Sequence, residues 1–152
     1  MIAKSKPATG SKRPKAKPTR RLSLPLKGGC HCGALRYRVT AAPKDSGYCH
    51  CTDCQKTTGG PTAVWFSVGT GSFSYMKGAP SIYKSSAWGQ REFCGACGCQ
   101  ILFRPQKRAR TVSVNAPTLD NPAAVPPRRH IYDSSRIAWF DTKDDLPRKP
   151  RS

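Results

Sequence analysis

Three clusters of cysteine constrain the fold of this 152-residue chain more than any other feature. Seven of its eight cysteines fall into them: Cys30 and Cys32, then Cys49, Cys51 and Cys54, then Cys94 and Cys97. Thiols this close in sequence bridge one another poorly, but they suit chelation of one ion by neighbouring sulfurs. We therefore expect metal binding rather than a disulfide framework.

The two outer pairs predict one closed zinc site. Each pair is followed by a glycine, Gly33 or Gly98, where the backbone must turn tightly. One Zn²⁺ held by both pairs would offset the entropy of closing the 61-residue loop between them. The predicted ligands of this structural zinc are Cys30, Cys32, Cys94 and Cys97. A redox dithiol is the alternative, but the βαβ context of such motifs is missing.

The middle cluster predicts a second zinc site with an open position. It holds three thiols, and a zinc ion with three protein ligands can take water or substrate as its fourth. If that ligand is a thiol, zinc favours its thiolate form at neutral pH, which prepares attack on a small electrophilic carbon. The alternative is that Cys99 fills the position. In an extended segment Cys99 shares the face of Cys97, so we predict a spare thiol near the outer pairs.

The histidines are weaker candidates. His31 and His50 each lie between two cysteines, where strand alternation points the imidazole away from the shared metal. For His50 we favour an exposed strand residue over a role in proton transfer. The neighbours of His130 leave it either beside the site or in a strand.

The rest of the chain predicts a mainly β domain with extra fastening. Turn formers such as residues 42–47 separate short aromatic or β-branched segments. A single helical turn is predicted at Thr52–Thr58. The predicted strands are Ala34–Thr40, Thr62–Val68, Ser72–Met76, Ser81–Ser85, Ile101–Arg104, Thr111–Asn115, His130–Tyr132 and Ile137–Phe140.

Charge divides the chain into a tail and a body. The formal net charge is +19; residues 1–27 hold nine bases and no acid, and 18 bases and 8 acids follow, a formal +10. We predict a disordered basic tail over residues 1–25, a zinc domain over 26–147 and a short tail over 148–152. The basic tail permits weak nucleic-acid contact.

The sequence also predicts the compartment. No secretory signal and no apolar run of about 20 residues is visible, so we expect no membrane contact. Free, metal-binding thiols favour a reducing, cytoplasmic location.

Three motifs, in this order and spacing, resemble those of the glutathione-dependent formaldehyde-activating enzyme family, which also includes centromere protein V. They are Gly29–Ala34, Cys49–Lys56 and Phe93–Gly98. Residues 119–122, 127–131 and 134–139 look like its C-terminal pattern. The resemblance implies a β-tent fold, a structural zinc on Cys30, Cys32, Cys94 and Cys97, and a catalytic zinc on Cys49, Cys51 and Cys54. One position departs from the pattern, because Cys99 stands where the family usually has a small hydroxyl residue.

The implied reaction joins glutathione to formaldehyde or a related small aldehyde, which makes the protein a carbon-sulfur lyase with two Zn²⁺ per chain. Arginines are candidates for contact with the glutathione carboxylates, and the sequence does not single one out. These candidates are Arg36, Arg38, Arg91 and Arg104. Two alternatives remain: a noncatalytic zinc module tethered by its tail to nucleic acid or another anionic partner, and thiol-disulfide chemistry at Cys97 or Cys99.

Overall fold

The computed structural model describes residues 22–106 and 110–151, and it confirms the predicted mainly β fold. The helix α1 spans Thr52–Thr58, as predicted, and ends at Gly59 in the left-handed region. The strands are β1 Leu26–Gly29, β2 Arg36–Val39, β3 Asp45–Cys49, β4 Ala63–Gly69, β5 Phe73–Lys77, β6 Ser81–Ser86, β7 Gly89–Phe93, β8 Gln100–Pro105, β9 Thr111–Asn115 and β10 His130–Ile131.

The strands form two sheets. The smaller has the order β1-β2-β5 and is antiparallel. The larger has the order β10-β3-β4-β9-β8-β7-β6, and β10 runs parallel to β3 whereas the other pairs are antiparallel. The parallel pair brings residues 130–131 beside residues 48–49. A late segment of the chain therefore lies against the strand that leads into the three-cysteine cluster.

One hydrophobic core joins the two sheets. Tyr37 of β2 packs in the same buried cluster as three residues of the large sheet, Phe66, Val114 and Leu102. The register aligns Phe66 with Val114 and Val114 with Leu102, so these three side chains occupy one face of the large sheet. Because side chains alternate along a strand, the intervening residues point to the opposite face. That opposite face carries the site described below.

Three strands were not predicted: β1, β3 and β7. The turn formers in residues 45–47 indicate a loop, yet β3 is a strand because it pairs with β4 on one side and β10 on the other. Gly47 serves this double pairing, since a Cβ there would lie 2.5 Å from the carbonyl oxygen of Arg129. In β7 a Cβ on Gly89 would lie 2.2 Å from the ring of Phe103. Both glycines therefore permit close approach rather than a turn.

The predicted strand Ile137–Phe140 is wrong. The segment bends locally, because the Phe140 N–H donates to the Ile137 carbonyl oxygen at 2.9 Å. The Arg136 guanidinium also donates to the Phe140 carbonyl oxygen, at 2.6 Å. These local bonds replace the ladder that a strand would need.

The predicted tails are only partly within the described residues. Residues 1–21 lie outside them, as does the nucleic-acid contact predicted for that segment. Leu22 packs partly against the core. At the other end, the Lys149 N–H donates to the His130 carbonyl oxygen at 3.1 Å, so backbone pairing continues past residue 147. The domain boundaries stay predictions.

Across residues 22–106 and 110–151, the structure contains no helix whose length and apolar character would allow it to cross a membrane.

Candidate metal centres

The structure brings the four outer cysteines together. Cys30 follows β1 and Cys94 follows β7, so the group connects a hairpin of the small sheet with a hairpin of the large one. Each sulfur offers one ligand atom within 4.8 Å of the others. The Cys30 and Cys32 sulfurs lie 3.5 Å apart, and those of Cys32 and Cys94 lie 3.7 Å apart. A tetrahedral zinc with Zn–S bonds of about 2.3 Å needs sulfurs about 3.8 Å apart. The donor set therefore fits a zinc ion.

The backbone of each hairpin turn is shaped around its sulfurs. Gly33 has φ 75° and Gly98 has φ 72°, in the left-handed region that favours glycine. The Gly98 N–H donates to the Cys94 carbonyl oxygen at 2.8 Å. Burial opposes ionisation of Cys30, but hydrogen bonds outweigh it, led by the Leu35 N–H at 3.1 Å, and lower the pKa of its thiol to about 6. A thiolate at neutral pH is the form that binds zinc.

The structure also brings Cys49, Cys51 and Cys54 together, with their sulfurs within 4.8 Å of one another. Cys49 ends β3, Cys51 caps the N-terminus of α1, and Cys54 lies in the first turn of that helix. The turn between strand and helix thus places all three sulfurs on one side. In the described part of the chain, no fourth Cys, His, Asp or Glu joins them.

Cys51 is the acceptor within this cluster. The Cys49 thiol donates to its sulfur at 3.5 Å, and the Cys54 N–H does so at 3.4 Å. Hydrogen bonds from Cys49 and then Cys54 hold the pKa of Cys51 well below its usual range. The pKa of Cys49 is raised, because its thiol is a donor to Cys51 and then to Cys54. Within the cluster, Cys51 is therefore the sulfur that the hydrogen bonds favour as a thiolate.

The three sulfurs border a cavity of about 520 Å³ on the large sheet. Its floor consists of the residues that alternate with the core positions, and the register places Trp65 beside Asn115, and Phe103 beside both Ser113 and Arg91. Trp88 and Ser135 also line it. This volume is within the range of small-molecule sites, roughly 300 to 1,000 Å³.

Cys99 lies with the outer group rather than at the open cluster. It packs partly against the core that contains Cys30 and Cys94. Burial raises the pKa of its thiol, and the sulfurs of Cys97, Cys30 and Cys94 add to this effect. The prediction that Cys99 lies near the outer pairs is confirmed, and it does not close the three-cysteine site.

The prediction of an exposed His50 is wrong. Its side chain is fully buried, and its Nε2 lies 2.8 Å from Nδ1 of His130. His130 is equally buried, and its Nε2 lies 3.1 Å from the Asp144 carboxylate. Burial, and then the neighbouring His130, lower the pKa of His50. The sequence neighbours of His50 and His130 gave no signal that these two rings would meet. The rings come together only because β10 pairs with β3 in the folded structure.

His50 and His130 also lie near Asp133, and the three side chains offer ligand atoms within 4.8 Å of one another. Most of their polar atoms already have other partners, although Nδ1 of His50 is buried without a hydrogen-bond partner. The two rings hydrogen-bond to each other, and Asp133 accepts from Arg148 at 3.1 Å. His31 is exposed and joins no such group. Among the described residues, neither His31 nor His50 belongs to a cysteine group.

Comparison with known proteins places this site in a family. The family model described as glutathione-dependent formaldehyde-activating enzyme matches residues 25–135. The chain belongs to this family. The matched region includes both cysteine groups, β10 and His130, so the family assignment covers the residues that form the cavity.

One curated relative agrees with the family assignment, and one solved structure has the same fold. A Halomonas elongata protein named "Putative glutathione-dependent formaldehyde-activating enzyme" is 30% identical over 125 residues, which cover 76% of this chain and 80% of the relative. A crystal structure of a Rhodobacter sphaeroides protein matches with a TM-score of 0.54 and 18% identity, over 81% of this chain and 99% of that one. The latter shows a shared fold only.

Proposed function

We propose that this member of the formaldehyde-activating family is a zinc-dependent carbon-sulfur lyase that joins glutathione to formaldehyde or a related small aldehyde. In the forward direction the glutathione sulfur forms a bond to the carbonyl carbon. The carbonyl π electrons move to oxygen, which takes up a proton in place of the one lost by the thiol. The product is a hydroxymethyl thioether, and no oxidant or reductant is required.

One observation carries the proposal. Cys49, Cys51 and Cys54 converge at the cavity, and no fourth side-chain ligand joins them among the described residues. Three thiolates are a sufficient protein ligand set for zinc that retains an exchangeable position. When bound there, zinc would lower the pKa of a thiol that coordinates it. Cys30, Cys32, Cys94 and Cys97 would hold the second, structural ion.

The surrounding residues hold the site in shape. The Gln55 amide donates to the carbonyl oxygens of His50 and Ser135, at 2.8 Å and 3.1 Å. It therefore ties the loop between the first two cysteines of the cluster to the segment after β10. Trp65 and Phe103 contribute aromatic surface to the cavity floor. The basic body of the protein attracts glutathione, which carries net negative charge.

The test compares zinc content and turnover in the wild type, Cys51→Ser and Cys99→Ser. We expect about two Zn²⁺ per wild-type chain, about one in Cys51→Ser and about two in Cys99→Ser. Exchange between formaldehyde and its glutathione adduct, measured by NMR, should be accelerated by the wild type and by Cys99→Ser. Cys51→Ser should not accelerate it. Full turnover in Cys51→Ser would remove the assignment.

A further inference from the structure

Arg91 is a buried cation without an acidic partner among the described residues. It lies in β7, and only 7% of its surface is exposed. The adjacent Glu92 points to the other face of the sheet, where Arg104 binds it at 2.5 Å. The Nε of Arg91 is shielded from solvent and has no hydrogen-bond partner. Because an unpaired buried charge is costly, the site should contain a compensating negative charge when it functions.

The nearest candidates for that charge are the sulfurs of the three-cysteine cluster. Nη2 of Arg91 lies 4.0 Å from Sγ of Cys54. The guanidinium carbon lies 5.3 Å from the centre of the Phe103 ring, which holds the group against the cavity wall. Arg91 therefore approaches the cluster from β7, whereas the three cysteines belong to β3, α1 and the turn between them.

The net charge of the three-cysteine site would be negative with zinc bound. Three thiolates around one Zn²⁺ leave a net charge of −1, and an anionic fourth ligand would increase it to −2. We propose that Arg91 is a specificity residue whose guanidinium offsets this charge and makes the open position accept an anionic sulfur in preference to a neutral ligand. This inference rests on the proposed function, because it requires a metal ion at Cys49, Cys51 and Cys54.

A different role for Arg91 would be to bind a carboxylate of glutathione. The geometry favours the sulfur role, since Nε is closed to solvent and Nη2 is directed at Cys54. A carboxylate in the cavity cannot reach Nε in this conformation. The two roles predict different responses to a thiol that has no carboxylate, and the experiment uses that difference.

The experiment measures ligand binding to the Co²⁺-substituted protein by absorption spectroscopy. The probes are glutathione, 2-mercaptoethanol, which has no carboxylate, and imidazole, which is neutral. Wild type, Arg91→Gln, Arg91→Lys and the exposed control Arg110→Met are compared at saturating Co²⁺. We expect Arg91→Gln to weaken the binding of both thiols, relative to that of imidazole, by about 30-fold or more. Arg91→Lys, which keeps the charge, and Arg110→Met should stay within about threefold of the wild-type ratio.

Two results would overturn the inference. If Arg91→Gln weakens the binding of thiols and of imidazole equally, Arg91 only supports the structure of the site. If it weakens glutathione alone, Arg91 binds a carboxylate instead. Failure of the proposed function looks different, because the wild type would then bind only one Co²⁺ per chain or would bind two without turnover.

The four-cysteine group provides an internal control for folding. Its tetrathiolate Co²⁺ spectrum should be the same in all variants, because Arg91 lies by the other cluster. If Arg91→Gln lacks that spectrum, Arg91→Met replaces it as the neutral variant. If neither neutral variant folds, Arg91→Lys provides the test. A ratio of thiol affinity to imidazole affinity more than about tenfold below the wild-type ratio would reject a role of charge alone.

Discussion

His50 and His130 share a hydrogen bond of 2.8 Å between Nε2 and Nδ1, although 80 residues separate them in the sequence. Their rings are nearly coplanar, with an interplanar angle of 8° and centroids 5.1 Å apart, as an edge-to-edge hydrogen bond requires. His130 is anchored in turn by Asp144, whose pKa is lowered because hydrogen bonds, including the one from His130, outweigh its burial. The backbone between Cys49 and Cys51 therefore depends on residues near the C-terminus.

Replacing His130 by Phe should destabilise the protein by about 1 to 3 kcal/mol. The aromatic stack on Tyr48, at 4.7 Å, can remain, but Nε2 of His50 loses its partner while still buried. Urea unfolding of the zinc-loaded protein measures the loss. His31→Asn, an exposed residue that also lies between two cysteines, is the control and should change stability little. Equal stability of His130→Phe and wild type would show that the hydrogen bond contributes nothing.

The substitution Gly98→Ala should cost about 1 to 2 kcal/mol and weaken metal binding by the four-cysteine group. A Cβ at this position has nothing within 4 Å, so the cost comes from φ 72° and not from a clash. Gly71→Ala is a matched control, because that glycine is equally open and does not have a positive φ. Thermal unfolding and competition with a chelator measure both effects. Identical results for the two variants would contradict the prediction.

Tyr37 should contribute to the loss of stability of the folded protein at alkaline pH. Burial raises the pKa of its phenol, although the bond to Thr118 at 2.8 Å partly opposes this. Its contribution to stability is full below the unfolded pKa of about 10 and is lost as pH rises above it, because only the unfolded state then ionises readily. Tyr37→Phe should therefore show a flatter decline of stability above pH 10, and about 1 kcal/mol lower stability at pH 8.

The measurement is urea unfolding between pH 8 and pH 11. Tyr83→Phe, at a 55% exposed position in β6, is the control and should follow the wild-type curve. A decline as steep in Tyr37→Phe as in the wild type would exclude Tyr37 as the source.

Cys94→Ser should lower the free energy of unfolding by more than about 4 kcal/mol, because it would remove one of the four sulfurs proposed to hold a zinc ion between the two sheets. A chelator should reproduce the effect in the wild type. Cys99→Ser keeps all four sulfurs and should unfold near the wild-type temperature. If Cys94→Ser and Cys99→Ser unfold at the same temperature, the four-cysteine group has no structural role.

The cysteine groups were predictable from the sequence because ligand spacing is a local property. The two hairpin turns were predictable for the same reason, because each contains a glycine just after its cysteine pair. The structure shows Gly33 and Gly98 in the left-handed region. Strands with alternating apolar residues, such as β4 and β9, were also evident. The position of Cys99 followed from its parity with Cys97.

The remaining features depend on distant pairing. β3 carries turn formers, and only β4 and β10 on either side make it a strand. The burial of His50 follows from the same pairing. Arg91 could be proposed only as one of four arginines, because its position beside Cys54 depends on the order of strands in the large sheet.

In β9, buried and partly exposed positions alternate, and Val112 and Val114 belong to the core whereas Ser113 and Asn115 line the cavity. Alternate positions of this one strand therefore contribute to the core and to the lining of the cavity. Selection can alter the cavity through every second residue without disturbing the interior, and related proteins have a route to new ligands on an unchanged scaffold.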